Sequence, residues 1–171
     1  MLFNPGEKIF FKINTNLSLL GSSLLLACLA FSTFSYSKEI IISPGDDSQE
    51  RLQEAMILMS EGDTLVIKSG YYSFEDGLSL DVDNVIITGE GMDKTILDFK
   101  DQKSGAQGLL VTSDKVTLKD FAILDAKGDA LKIIGTKGIN MINLRTEWTG
   151  GPKSSNGAYG CLLYTSDAAD D

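Results

Sequence analysis

A cation, an acid and the single tryptophan of the chain lie close together at Arg145, Glu147 and Trp148. If this segment is a strand, Arg145 and Glu147 share one face and Trp148 lies on the other, because successive side chains of a strand alternate. A guanidinium can bind a carboxylate through two parallel hydrogen bonds, and an exposed indole can stack on a sugar ring. We therefore predict Arg145 and Glu147 as catalytic residues and Trp148 as a substrate-binding residue. The alternative is a surface ion pair beside a packing aromatic residue.

Two aspartates, Asp125 and Asp129, flank the short turn Ala126-Lys127-Gly128. Paired carboxylates can hold a hard cation such as calcium, or act as an acid and a base. Asp125 and Asp129 are therefore the predicted metal ligands, and Lys127 between them is a weaker candidate for substrate binding. The alternative is purely structural, because aspartate often caps turns and glycine accommodates a positive φ.

The composition excludes several classes of site from these 171 residues. There is no histidine, so neither a histidine-dependent triad nor a histidine-ligated zinc site can be built from this sequence. The net charge is −9, and residues 38–160 contain 13 lysines and arginines against 20 aspartates and glutamates, which leaves −7. Since phosphates would be repelled, a nucleic-acid partner is not expected.

The first 37 residues are predicted to be a signal peptide. They contain two early lysines, the uncharged apolar stretch Leu17–Phe34 and small residues in Ser35–Ser37, the pattern that a signal peptidase reads. A membrane anchor is one alternative, although the apolar stretch is short for a span. A lipoprotein is another, because Leu25–Cys28 resembles a bacterial lipobox. We expect a secreted or periplasmic bacterial protein, with membrane contact only through the signal or a lipid anchor.

The last residues, 161–171, resemble the translation of a transposase adaptor used in sequencing libraries, codon for codon through Asp170. We expect this segment to be an artefact and the native sequence to continue differently after Gly160. Because Cys28 and Cys161 then both lie outside the mature fragment, no disulfide framework is expected. The alternative is a native acidic tail.

Two families of short strands that recur along the chain would position the candidate residues. In the first family a polar turn begins at Asp83, Asp114 and Lys137, with spacings of 31 and 23 residues. The second recurs at Leu78, Leu109 and Leu131, with spacings of 31 and 22. A period of about 20 to 30 residues is typical of a solenoid. The positions predicted to face its interior are Leu65, Ile67, Leu78, Leu80, Val85, Ile87, Ile96, Leu109, Val111, Val116, Leu118, Ile123, Leu131, Ile133 and Ile139.

One helix is predicted before these strands, at residues 48–60, because Leu52, Ala55 and Met56 recur at helical spacing. The first repeat of a strand solenoid leaves an apolar cross-section and unpaired strand edges, and an amphipathic helix can cover them. We therefore expect this helix to be an N-terminal cap. The polar segment Asp98–Gly108 is expected to be a side loop that lines the binding face.

Several segments resemble the opening coils of right-handed parallel β-helix proteins of the pectin-lyase-like superfamily. They are Gly62–Tyr72, Val85–Asp98 and Asp129–Ile133, and the longer run Gly105–Gly160 resembles bacterial exported "parallel β-helix domain" proteins. The resemblance implies an all-β, right-handed parallel β-helix solenoid with an N-terminal capping α-helix. Residues 38–160 would be the N-terminal part of that domain.

Members of the superfamily act on polyuronates as lyases, hydrolases or epimerases that use carboxylates, arginine or lysine, and often calcium. The resemblance therefore implies an exported protein that acts on acidic polysaccharide, of the lyase or epimerase type, with calcium as the expected cofactor and a monomeric full-length state. The paired adjacent aspartates and the Gly-His of the hydrolases are absent. The alternative is a non-catalytic β-helix that binds glycans or has a structural role at the cell surface, since fold alone does not determine activity.

Overall fold

The computed structural model describes residues 37–165, which belong to one compact unit. Nearly all of the predicted signal peptide (residues 1–36) and the end of the predicted artefact (residues 166–171) lie outside the described residues. No helix within 37–165 is long and apolar enough to span a bilayer. The elements of this part of the chain are β1 Glu39–Ile42, α1 Ser48–Leu58, β2 Thr64–Ile67, β3 Gly70–Ser73, β4 Leu78–Leu80, β5 Ile86–Thr88, β6 Thr95–Asp98, β7 Gln107–Val111, β8 Thr117–Lys119, β9 Ala122–Leu124, β10 Asp129–Thr136, β11 Asn140–Ile142, β12 Arg145–Glu147 and β13 Cys161–Thr165.

The strands form three sheets in which every described pairing is parallel. The first sheet has the order β1-β2-β5-β8-β11, the second β4-β7-β10-β13 and the third β3-β6-β9-β12. From β2 onward, strands that follow one another in the sequence belong to different sheets, and each sheet takes one strand from successive repeats. The described chain is mostly β with parallel sheets, which is consistent with a parallel β-helix.

Strand register confirms both predicted strand families. Leu78 pairs with Leu109, and Leu109 pairs with Leu131. In the first sheet, Ile86 pairs with Thr117, which pairs with Asn140.

The turns that precede the first-sheet strands share one backbone requirement. Gly62, Asn84, Lys115 and Gly138 occupy equivalent positions and have φ values of 90°, 55°, 56° and 70°. A left-handed backbone favours glycine and is tolerated by asparagine better than by most residues. The polar turns therefore recur in the sequence because each first-sheet strand from β2 onward is preceded by a residue in the left-handed conformation.

The predicted interior is buried at 13 of its 15 positions, and Ile96 and Ile139 are only half-buried. In β6 the inward residue is Leu97, which pairs with Tyr72 and Ile123, whereas Ile96 lies on the outer face. Two adjacent apolar residues give no alternation, so the sequence could not decide which of them faces inward. The interior also contains Phe74 stacked on Phe99 with 4.8 Å between ring centroids.

Helix α1 ends two residues before the predicted boundary, and it packs against β1, β3 and β4. Leu52, Ala55 and Met56 form the buried face of the helix. The Gln53 amide donates to the Ser79 carbonyl (3.0 Å) and accepts from the Ser79 N–H (2.9 Å). Because Ser79 lies in β4, an edge strand of the second sheet, the helix satisfies main-chain groups that would otherwise be unpaired.

Candidate functional site

A groove of about 600 Å³ lies where three neighbouring strands of the third sheet end. Parallel strands bring their carboxyl ends to the same edge of a sheet, so the segments after β6, β9 and β12 meet although they are far apart in sequence. We call this cavity the Trp148 groove. Its lining residues are Lys100, Asp125, Ala126, Lys127, Trp148, Thr149, Gly150, Lys153, Ser155 and Asn156.

Trp148 is fixed in the groove from two directions. Its side chain is half-buried and packs against the hydrophobic core. Its indole Nε1 donates a hydrogen bond to the Ala126 carbonyl at 2.7 Å, in the preceding repeat. Since both the ring and its polar edge are held, the part of the indole that lines the groove is a preorganised apolar surface.

Asp125 connects the groove to the loop that follows β12. Its Oδ1 accepts from the Thr149 N–H at 2.7 Å and its Oδ2 accepts from the Thr149 hydroxyl at 2.6 Å. Its own backbone is left-handed, with φ 53°, as expected for an aspartate at a turn. Both carboxylate oxygens thus hold the loop in place.

Asp129, the other predicted metal ligand, is at the start of β10, where it pairs with Gln107. It does not line the Trp148 groove. Within residues 37–165, no group of three or more acidic or cysteine side chains is arranged to hold a metal ion. The calcium site remains a prediction.

Positive charge is concentrated in the groove. Lys100, Lys127 and Lys153 line it against a single acid, Asp125, which leaves a local charge of +2 in a chain whose net charge is −9. None of these lysines forms an ion pair with a described residue, whereas Lys68 pairs with Glu90 at 2.9 Å and Lys103 with Glu75 at 2.7 Å. Unpaired cations that line one concave surface attract anionic ligands.

The groove continues past Trp148 into a second, more open cleft of about 470 Å³. Glu147 lines this cleft, and Trp148, Lys153 and Asn156 line both cavities. The loop between them is closed by the Asn156 amide, which donates to the Gly151 carbonyl at 2.9 Å. Trp148 therefore separates two neighbouring cavities, and the loop 149–157 supplies the same lysine, Lys153, to both.

Arg145 and Glu147 form an ion pair with each other, so they share a face of β12 as predicted. Arg145 also donates from Nη2 to the Met92 carbonyl at 3.2 Å and lies 3.6 Å from Asp93 Oδ1. It does not line the Trp148 groove. It lines a separate cleft of about 330 Å³, together with Phe121, Ile123, Leu131, Met141 and Leu144 among others.

The structure therefore brings together Asp125, Lys127 and Trp148, places Glu147 in the adjoining cleft, and leaves Arg145 and Asp129 elsewhere. The site residues that sequence reasoning missed are Lys100 and Lys153. Lys100 lies within the segment 98–108 that is predicted to line the binding face. That prediction is the only sequence signal that points to Lys100.

A further polar pair lies beside the groove on the outer face of the third sheet. Tyr71 is 59% exposed, and its hydroxyl donates to Oδ2 of Asp98 at 2.6 Å. Asp98 is only 6% exposed, and its Oδ1 accepts from the Lys100 N–H at 3.1 Å. Burial, followed by the Asp98 carboxylate, raises the pKa of Tyr71 to about 12, and the charges of Asp125 and Asp101 add to the effect.

No protein-family model and no curated protein sequence matches this chain. Among solved structures, the chain is similar to the PL6 family alginate lyase AlyGC, with a TM-score of 0.54 and 18% sequence identity. The match covers 75% of this chain and 18% of the lyase, so the chain spans less than a fifth of that protein. At this identity the likeness shows the fold, a β architecture with parallel sheets.

Proposed function

We propose that the chain is the N-terminal part of an exported, right-handed parallel β-helix protein that binds acidic polysaccharide in the Trp148 groove and acts on it as a lyase or epimerase. In this proposal residues 1–37 are the signal peptide, residues 38–160 belong to the β-helix domain with α1 as its cap, and residues 161–171 are artefactual. The observation that carries the proposal is the convergence of three unpaired lysines around a fixed tryptophan in an acidic protein.

The chemistry of the groove suits a sugar that bears a carboxylate. Lys127 and Lys153 can donate charge-assisted hydrogen bonds to the carboxylate, and Trp148 offers an apolar surface to a sugar ring. A lyase or epimerase removes a proton from the carbon next to that carboxylate, and neutralising the carboxylate lowers the barrier to this step. A lysine or arginine would be the base, and calcium is the cofactor proposed to share in the neutralisation.

Binding is tested by titrating the full chain with a polyuronate oligosaccharide in a calorimeter. Replacing Lys127 and Lys153 together by alanine should weaken binding by about tenfold or more, since each ammonium contributes roughly 1 kcal/mol or more when it pairs with a carboxylate. Lys119→Ala is the matched control, because Lys119 is on the first sheet, away from the groove. Unchanged affinity in the double variant would exclude the groove as the binding site.

A non-catalytic role is the second candidate, and one observation favours it. Arg145 is neutralised by Glu147 and held by the Met92 carbonyl, so neither predicted catalytic side chain stands free in the groove. Incubating the full chain with polyuronates separates the two roles. Release of unsaturated ends or a change in sugar stereochemistry, with calcium and with a chelator as parallel arms, indicates an enzyme, whereas binding without turnover indicates a glycan-binding protein.

A further inference from the structure

The Trp148 groove and the Tyr71–Asp98 pair lie along one line on the molecule. Tyr71 is in β3, Asp98 ends β6, Asp125 follows β9 and Trp148 follows β12, so the line crosses four neighbouring strands of the third sheet. Adjacent strands are about 4.8 Å apart, so the line extends about 14 Å across the sheet. Lys100 joins its two parts, because its side chain lines the groove while its N–H donates to Asp98.

The two ends of this line carry opposite charge. At the Trp148 end Lys127 and Lys153 outnumber Asp125. At the Tyr71 end, burial is the largest cause that raises the pKa of the Tyr71 hydroxyl, and the carboxylates of Asp98, Asp125 and Asp101 follow in that order. The Debye length at physiological ionic strength is about 8 Å, so each exposed charge acts mainly on ligand groups within that distance. Each end therefore acts mainly on the part of a ligand that lies next to it.

The Tyr71 end has the chemistry of a site for an uncharged sugar. The Tyr71 ring is 59% exposed, and an aromatic ring that is exposed at the surface can pack against the apolar face of a sugar. Its hydroxyl proton is engaged by Asp98, so the phenolic oxygen is left to accept a hydrogen bond from a sugar hydroxyl. A carboxylate placed here would instead face Asp98 and Asp101, and like charges in close contact are unfavourable.

We propose that the ligand is a heteropolysaccharide in which a uronate, bound by Lys127 and Lys153, is linked to a neutral sugar that packs on Tyr71. This inference rests on the proposed function, because it assumes that acidic polysaccharide binds in the Trp148 groove. It narrows the substrate class from acidic polysaccharides in general. A homopolymer of uronate is disfavoured, because it would place a carboxylate at every step along the line.

The experiment compares two oligosaccharides of equal length with the full chain, one composed of uronate alone and one alternating uronate with neutral hexose. The alternating oligosaccharide should bind at least about tenfold more tightly at moderate salt. Asp101→Asn should raise the affinity for the homopolymer and narrow that ratio, and Asp98→Asn should narrow it further. Glu54→Gln, on the exposed face of α1, is the control for the loss of a charge elsewhere.

Tyr71→Ala supplies a second test that leaves the Asp98 carboxylate itself in place. It should weaken the alternating oligosaccharide by about tenfold and leave a single uronate monosaccharide unaffected, because the monosaccharide occupies only the lysine end. Equal affinity for the two oligosaccharides would overturn this inference and leave the proposed function standing. The same holds if Asp101→Asn and Tyr71→Ala both leave the ratio of the two affinities unchanged. If neither oligosaccharide binds, the proposed function fails together with it.

Discussion

The repeat built on β8 is filled with side chains, whereas the repeat built on β11 and β12 is not. Leu118 in β8 is 0% exposed, and its register partner Met141 in β11 is 43% exposed. Val116 is fully buried and its counterpart Ile139 is half-buried. The cleft of about 330 Å³ lies at this end, next to Met141. The same kind of residue at the same place in a repeat is thus buried in one case and accessible in the other.

The difference shows what a strand repeat needs in order to bury its interior. A repeat is covered on both sides only when it has a neighbour on each side. At the N-terminal end α1 takes that place, with Leu52 and Met56 buried and Gln53 bonded to the β4 edge. Among the described residues, β11 has β8 on one side and no strand on the other.

The Trp148 groove is built on the less filled repeat, and polar contacts compensate for the weaker packing. The Trp148 indole bonds to the Ala126 carbonyl and the Asp125 carboxylate holds Thr149, so two links tie this repeat to the one before it.

The largest expected effect is the difference in stability between alanine substitutions at the register partners Leu118 and Met141. Leu118→Ala should lower the free energy of unfolding by about 2–5 kcal/mol, because it removes a buried side chain and leaves a cavity. Met141→Ala should cost less than about 1 kcal/mol, since its side chain is largely exposed already. Urea denaturation of the two variants measures the difference, and equal losses would contradict the contrast between the two repeats.

The next effect concerns the link between Asp125 and Thr149. Asp125→Ala removes two acceptors from the Thr149 N–H and hydroxyl and should cost about 1–2 kcal/mol, because hydrogen bonds to charged groups are stronger than neutral ones. Thr149→Val removes only the hydroxyl and serves as the partner in a double-mutant cycle. We expect a coupling energy of about 1 kcal/mol by denaturant unfolding. Strictly additive losses would mean that the bond between the Thr149 hydroxyl and the Asp125 carboxylate does not stabilise the repeat built on β11 and β12.

Much of the fold could be predicted from the sequence because two of its three sheets repeat recognisable residues. The first-sheet turns carry Asn84, Lys115 and Gly138 at a left-handed position, and β4, β7 and β10 of the second sheet carry a leucine at the equivalent place. The third sheet has no such signature. Its strands β9 and β12 read Ala-Ile-Leu and Arg-Thr-Glu, which share no residue type, so only register reveals that they are neighbours.

The candidate site was predictable only for residues whose type is unusual in its context. Trp148, Asp125 and Lys127 could be selected as the only tryptophan and as the charged residues of a short turn. Lys100 and Lys153 are ordinary lysines of polar loops, and nothing local distinguishes them from solvated charges. Tyr71 and Tyr72 are adjacent and identical, yet strand alternation exposes the first and buries the second.

A smaller effect tests the turns that begin the first-sheet strands. Gly138, with φ 70°, precedes the last strand of this sheet, and Lys115, with φ 56°, precedes the strand before it. Gly138→Ala should cost about 1 kcal/mol, since a Cβ in this conformation is unfavourable and would meet only ordinary contacts, 3.5 Å from the Lys115 side chain. Lys115→Gly should change the stability by less, because relief of strain is offset by a more flexible unfolded chain.

Thermal melts of the two variants and the wild type measure this comparison. The result that would contradict it is a Gly138→Ala protein as stable as the wild type, which would mean that the turn before β11 is not held in the left-handed conformation. In that case the repeat built on β11 and β12 would be less ordered in its backbone as well as less tightly packed.

The smallest effect is electrostatic and lies in the filled part of the molecule. Glu90 Oε1 pairs with Lys68 Nζ at 2.9 Å and Oε2 accepts from the Ser69 N–H at 2.8 Å. The Lys68 hydrogen bond first, and the Ser69 N–H second, lower the pKa of Glu90 from 4.5 to about 2. A carboxyl whose pKa is lower in the folded state stabilises the protein above its unfolded pKa. That stabilisation should be complete above pH 4.5 and disappear as the pH falls towards 2.

Melting temperatures of the wild type and Glu90→Gln, followed from pH 6 to pH 2, measure this contribution. The two curves should be separated at pH 6 and converge in acid, and added salt should reduce the separation because the pair is exposed. Glu54→Gln, on the exposed face of α1, is the control for the removal of a surface carboxylate. A constant separation across the pH range would show that Glu90 acts through its shape or packing instead of its charge. Convergence in acid would show that Glu90 stabilises this region through its charge.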